Sequence, residues 1–252
     1  MLLASMPLLV NCQIRVEGEK ASNNRYLIVE GLFSSKSVVG SNATCSTTYS
    51  DLNSFECIRL DGSADIEFRQ SMDEKTEVTV TVAENLTDLV EITSEHGTLR
   101  VNYAKKYNNV SVLNSQLRII ITNPYLSHVL INGSGDVQLR NEVYCKELNL
   151  TINGSGDINA NALSCERLEV TINGSGDVEL AGKAEHAILK TNGSGDIDTE
   201  DLLCKKVEAV VVGSGEIDCY ASETLDAKVT GSGEITYRGD ARVTGGNIIK
   251  RE

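Results

Sequence analysis

Between residues 129 and 240, apolar and polar side chains alternate in short runs: Leu148, Leu150 and Ile152; Leu168, Val170 and Ile172; Val207, Ala209 and Val211. A Gly-Ser-Gly-acid tetrapeptide follows each run. The alternation then resumes, as in Val137 and Leu139, Ile158 and Ala160, Val178 and Leu180, or Ile217 and Cys219. Period-two alternation sends successive side chains to opposite faces of an extended chain, so the pattern predicts strand, tight corner, strand.

The tetrapeptides begin at Gly133, Gly154, Gly174, Gly193, Gly213 and Gly231, in steps of 21, 20, 19, 20 and 18 residues. Each unit could close as an antiparallel hairpin, but so regular a step with such similar positions favours coils stacked one on another. The expected fold is therefore all-β, a parallel β-helix with coils of about 20 residues. Equivalent residues of adjacent coils would lie about 4.8 Å apart, turning every aligned position into a ladder, and six coils would make a rod roughly 25 to 30 Å long. Ile, Val, Leu and Ala fill the inward positions, where a narrow coil needs branched or small side chains.

Several ladders follow from this stacking. Asn132, Asn153, Asn173 and Asn192 form one column, whose amides should hydrogen-bond along the axis. Ser134, Ser155, Ser175, Ser194, Ser214 and Ser232 form another, with glycines on either side to permit positive φ at the corner. Cys145, Cys165 and Cys204 share a third, read as thiols rather than disulfides because Cys165 and Cys204 stand two coils apart, about 9 to 10 Å. The acidic column Asp136, Asp157, Asp177, Asp196, Glu216 and Glu234 is the one candidate ligand or cation site. In water the repulsion between neighbours is under about 1 kcal/mol, which solvation or side-chain-to-backbone bonds can absorb; the alternative is Ca²⁺ bridging adjacent carboxylates.

An earlier copy of the corner stands at Leu60-Asp61-Gly62-Ser63-Ala64-Asp65-Ile66, with Phe68 in phase. Between it and Gly133 lie alternating Val78, Val80 and Val82, then Glu84-Asn85-Leu86, then Gly97-Thr98-Leu99-Arg100-Val101. These predict extra strands in an irregular, wider section, with a short helix or turn around residues 86–90. A solenoid has to cover the open end of its core, which gives that departure a physical reason. Residues 50–252 thus read as one β-helical domain, with regular coils over 129–240 and Ile248, Ile249 and Lys250 closing the last. Residues 13–49 form an N-terminal segment without a defined pattern. Residues 1–12, MLLASMPLLVNC, are apolar but too short to span a bilayer, and read as the end of a secretory signal with Cys12 as a lipidation candidate.

With 23 Lys and Arg against 36 Asp and Glu, the net charge is -13, which repels phosphate backbones and excludes nucleic acid as a partner. Membrane attachment is expected only through a lipid on Cys12. Residues 131–240 hold 20 acids against 9 bases, so most of that charge lies on the regular coils. Seven cysteines contain no C-x-x-C pair, and His96, His128 and His186 are far apart in sequence, so zinc and redox motifs are absent. Cys45 and Cys57 could pair in an exported chain, or stand as small hydrophobes. Gly-Ser-Gly lacks the spacing of a hydrolase elbow, and six copies exceed what one active site requires.

The residues Leu52-Asn53-Ser54-Phe55, Gly62-Ser63-Ala64-Asp65, Glu84-Asn85-Leu86 and Gly97-Thr98-Leu99, followed by the Gly-Ser-Gly copies, resemble the putative auto-transporter adhesin, head GIN domain family of bacterial envelope proteins, over roughly residues 50–250. That resemblance implies a right-handed β-helix in an exported, often lipid-anchored protein that acts in adhesion, and it brings no catalytic residues. The resulting expectation is a non-catalytic cell-envelope protein that binds a surface ligand or self-associates. The alternatives are a polysaccharide-active β-helix enzyme of the pectinase or lyase kind, a calcium-binding structural solenoid, and a cytoplasmic location with reduced thiols.

Overall fold

The computed structural model describes residues 13–15, 27–30, 36–246 and 248–251. Its main body is a single curled sheet of seventeen strands, and the repeat is indeed a stack of coils. The strands Val143–Gly154, Ile158–Gly174, Val178–Gly193, Ile197–Gly213 and Glu216–Gly231 each lie parallel to the next. Gly133, Gly154, Gly174, Gly193, Gly213 and Gly231 are consecutive register partners, so an antiparallel hairpin at each corner is ruled out. Differences in step length are taken up at the opposite side of the coil, where the register slips between Ala160 and Leu163, between Glu179 and Gly182, and between Thr199 and Cys204.

Inward columns are continuous along the axis. Val129, Leu150, Val170, Leu189, Ala209 and Ala227 are register partners in turn, all buried, and their sizes fall toward the C-terminal end. The wide end holds Phe55 and Phe68, also buried. Burying a branched or aromatic side chain contributes about 1.5–3 kcal/mol, so these columns carry the stability of the stack.

Chain order and spatial order part company in the first half. Phe55–Gly62 and Ile66–Gln70 form a coil that lies directly beneath His128–Gly133 and Val137–Leu139. The chain between them turns the other way: Gly97–Tyr103 runs parallel beneath Phe55–Gly62, and Arg118–Asn123 runs parallel beneath Ile66–Gln70. Antiparallel strands then finish the end, Glu77–Ala83 beside Arg118–Asn123 and Val90–Glu95 beside Gly97–Tyr103. The expected irregular cap is therefore an inserted coil plus two antiparallel additions. The short helix or turn expected around residues 86–90 is a single 3-10 turn, Glu84–Leu86, with Leu86 and Leu89 buried beneath the core.

Residues 13–49, read as patternless, contribute Gln13–Arg15, Leu27–Glu30 and Lys36–Val39 to a small sheet completed by Val110–Leu113. Thr44–Tyr49 lies antiparallel to Glu77–Ala83. At the other end Arg242–Gly245 and Ile248–Lys250 add a last partial coil, although Ile249 remains 48% exposed there. Residues 1–12, including Cys12, lie outside the described residues.

Candidate functional site

The corner begins with two glycines that have different jobs. The first of each copy has positive φ, from +125° at Gly231 to +148° at Gly174, whereas the second does not. The expectation of positive φ at both glycines is thus corrected. What the second needs is proximity: a Cβ on Gly156 would lie 2.1 Å from the Gly135 carbonyl oxygen one coil below. At the bottom of the column no such corner lies beneath, and Ala64 takes the second glycine's place.

This tight stack leaves the acid's backbone N–H at the corner facing the coil below, and a short carboxylate there meets it. The Asp157 N–H donates to Asp136 Oδ1 at 2.9 Å, Asp177 to Asp157 at 2.8 Å, Asp196 to Asp177 at 2.9 Å and Glu216 to Asp196 at 2.7 Å. Asp136 donates in the same way to Asp65 at 3.2 Å. Each aspartate therefore satisfies a backbone donor that the strand ladder misses. Glu234 is the strand partner of Glu216, at the end of the series. All six predicted acids do form one column, and its geometry serves the fold. Among the described residues, no group of three or more His, Cys, Asp or Glu side chains is arranged to hold a metal ion.

The asparagine column is a one-way amide ladder. Nδ2 of Asn192 donates to Oδ1 of Asn173, Asn173 to Asn153 and Asn153 to Asn132, each at 2.9 Å. Asn132 in turn donates to Asp61 Oδ1 at 2.6 Å. Arg59 Nε holds the same carboxylate at 2.8 and 3.0 Å. Burial pushes the Asp61 carboxyl up, and the hydrogen bonds from Arg59 and Asn132 outweigh it, so it sits below the usual carboxylate range.

The thiol column carries Cys145, Cys165, Ala184 and Cys204 in register, with Ala184 separating Cys165 from Cys204. The six described cysteines are all free thiols. Cys45 pairs across strands with Val82 and Cys57 with His128, both only half-buried, so neither is a core residue. The histidines remain apart: His96 is exposed in the two-residue turn between Glu95 and Thr98, and His186 lies between Arg167 and Glu208. His128 sits half-buried beside Cys57, and its Nε2 has no hydrogen-bond partner.

One cluster had no signal in the sequence. Glu67, its side chain 10% exposed, receives the guanidinium groups of Arg69 from its own strand, of Arg118 from a flanking strand and of Arg140 from just past Val137–Leu139. Arg69 hydrogen-bonds to Oε1, Arg118 Nη2 to Oε2 at 2.9 Å, and Arg140 Nε stands 3.7 Å from Oε2. Burial raises the Glu67 carboxyl, and Arg118 and Arg69 reverse that and hold it below the usual range. Alternation alone gave no reason to join residues 51 and 73 positions distant.

Solved structures of similar shape include proteins from Bacteroides and Parabacteroides species. A putative adhesin from Bacteroides fragilis is 31% identical, with a TM-score of 0.74 over 84% of this chain and 98% of its own. A putative lipid binding protein from Parabacteroides distasonis is 27% identical, with a TM-score of 0.72 over 86% and 100%. A putative adhesin from the same species is 25% identical, with a TM-score of 0.68 over 85% and 97%. No curated protein matches the chain. The profile of the family described as putative auto-transporter adhesin, head GIN domain, matches residues 54–241, the corners, ladders and cap just described, and the chain belongs to that family.

Proposed function

We propose that the chain is a non-catalytic interaction module of the bacterial cell surface, which presents the side faces of a rigid β-solenoid to a partner. The observation that carries this reading is that the repeated polar groups serve the fold: the Asp and Asn columns hydrogen-bond from coil to coil rather than converge on a substrate. Membership of an adhesin family and likeness to proteins titled putative adhesins support it. An acid–base polysaccharide enzyme would need carboxyl groups gathered with a base at one cleft, and His96, His128 and His186 each stand in a different surrounding. In this reading a lipid on Cys12 tethers the module, and the acidic column is a structural ladder rather than a calcium site.

The test is cell fractionation of the full chain and a Cys12→Ala version, with protease shaving of intact cells and attachment of those cells to immobilised host glycans. Shaved, membrane-bound protein that becomes soluble on losing Cys12, together with attachment lost on shaving, is the expected result. Protein protected inside the cytoplasm in both versions would overturn the proposal.

A further inference from the structure

The thiol column contains one pair that stands a single coil apart. Cys145 and Cys165 are direct register partners on the parallel strands Val143–Gly154 and Ile158–Gly174. Both pack with the core, Cys165 buried in it and Cys145 half-buried against it. Neighbouring parallel strands lie about 4.8 Å apart, within the roughly 4.4–6.8 Å between Cα atoms that a disulfide spans. The two thiols are already in contact, since a hydrogen bond from Cys165 holds the Cys145 thiol below its ordinary pKa. No other two described cysteines are register partners. Ala184 stands between Cys165 and Cys204, and Cys45, Cys57 and Cys219 pair with Val82, His128 and Thr199. Reagents have access from outside: Cys145 is half-buried, and Cys165 lines an open cleft of about 370 Å³ together with Lys183 and Cys204.

We propose that Cys145 and Cys165 form a reversible disulfide site, which joins two consecutive coils when it is oxidised by exchange with a low-molecular-weight disulfide. Cys145, the more accessible thiol, attacks one sulfur of the oxidant. The oxidant's S–S bond breaks, a mixed disulfide forms on Cys145, and the first small thiol leaves with the Cys145 proton. Cys165 then attacks Cys145 Sγ. The mixed disulfide breaks, the protein disulfide forms, and the second small thiol leaves with the Cys165 proton. Two protein thiols are thereby oxidised, and one external disulfide is reduced to two thiols. Register partners of a parallel pair hold their Cβ atoms near the strand spacing, wider than the roughly 3.5–4.5 Å of a relaxed disulfide. The bond therefore forms under strain and reopens readily in a reducing medium. This chemistry does not rest on the surface-interaction reading, although export would supply the oxidising setting.

The experiment incubates the folded full chain, reduced and then freed of reductant, with oxidised glutathione. Remaining thiols are blocked with a maleimide, and the peptides are mapped by mass spectrometry. The expected product joins the Cys145 and Cys165 peptides with the loss of two hydrogens, and excess reduced glutathione should reopen it. Cys165→Ala, which places in the column the residue already present at Ala184, should stop at a glutathione mixed disulfide on Cys145. Cys145→Ser should leave Cys165 unmodified over the same time. Melting curves check the fold of both variants, and the result in the unaltered chain decides the site without them. A Cys145 that stays reduced there, a mixed disulfide that persists on it, a bond to a different cysteine, or a 145–165 bond that resists reduced glutathione would overturn the proposal.

Discussion

Asp61 accepts a 2.6 Å hydrogen bond from Asn132, and that contact fixes the direction of four stacked amides. A carboxylate only accepts, so Asn132 has to turn its NH₂ downward, and each amide above copies it up to Asn192. The residue that sets the ladder is thus the one member that is not an asparagine.

Asp61→Ala should cost about 1.5–3 kcal/mol, the range for a lost charge-assisted hydrogen bond, while Asp61→Asn should cost less because an amide oxygen can still accept. Chemical denaturation of the two variants checks the order. Acid should act at the same place. The folded carboxyls of Asp61 and Glu67 lie below their ordinary values, so their stabilisation is fully present above the unfolded pKa near 4 and is lost as pH falls through the lower folded values. Melting temperature should therefore decline as pH drops below about 4, and Asp61→Asn should flatten that decline.

The acidic column separates charge from hydrogen bonding. Asp157→Asn keeps an acceptor for the Asp177 N–H and removes one charge from a repelling row, so its melting temperature should equal or exceed that of the unaltered chain. Asp157→Ala should lose about 1–2 kcal/mol through the stranded donor. Chelator should leave all three melting curves where they were. Equal losses in both variants, with a chelator effect, would instead mark a bound cation.

Two glycine substitutions distinguish conformational strain from collision. A methyl group on Gly156 meets the carbonyl oxygen of Gly135 at 2.1 Å and forces two coils apart, for a cost of about 3 kcal/mol. Gly62 has positive φ, +133°, but open space around its Cβ position, so Gly62→Ala should cost about 1–2 kcal/mol in strain alone. Denaturation midpoints should fall in that order.

Thiol reactivity should follow position in the coil. A hydrogen bond from Cys165 holds the Cys145 thiol below its ordinary value, and the same contact, together with burial, pushes Cys165 up. Burial pushes Cys204 up to about 11 and Cys219 up to about 12. In a mildly alkaline maleimide pulse read by mass spectrometry, Cys145 should react about tenfold or more faster than Cys165, Cys204 and Cys219, because the thiolate is the reacting form. Uniform labelling of the column would contradict the burial described.

The amino-acid sequence by itself determined the stack. Alternation, the Gly-Ser-Gly corner and a step near 20 residues are local, so they name the strands, the inward side chains and the columns of Asn, Asp and Cys before any coordinate is known. Only the tertiary structure decided what each column does and where the irregular section goes. That the second glycine answers to a carbonyl below it, and the aspartate to an N–H above it, depends on how closely the coils approach. Gly97–Tyr103 and Arg118–Asn123 pass beneath an earlier part of the chain, and that reversal brings Arg118 to Glu67. Contacts joining residues 51 to 73 positions apart leave no period in a sequence, because they arise from the path of the backbone rather than from its repeat.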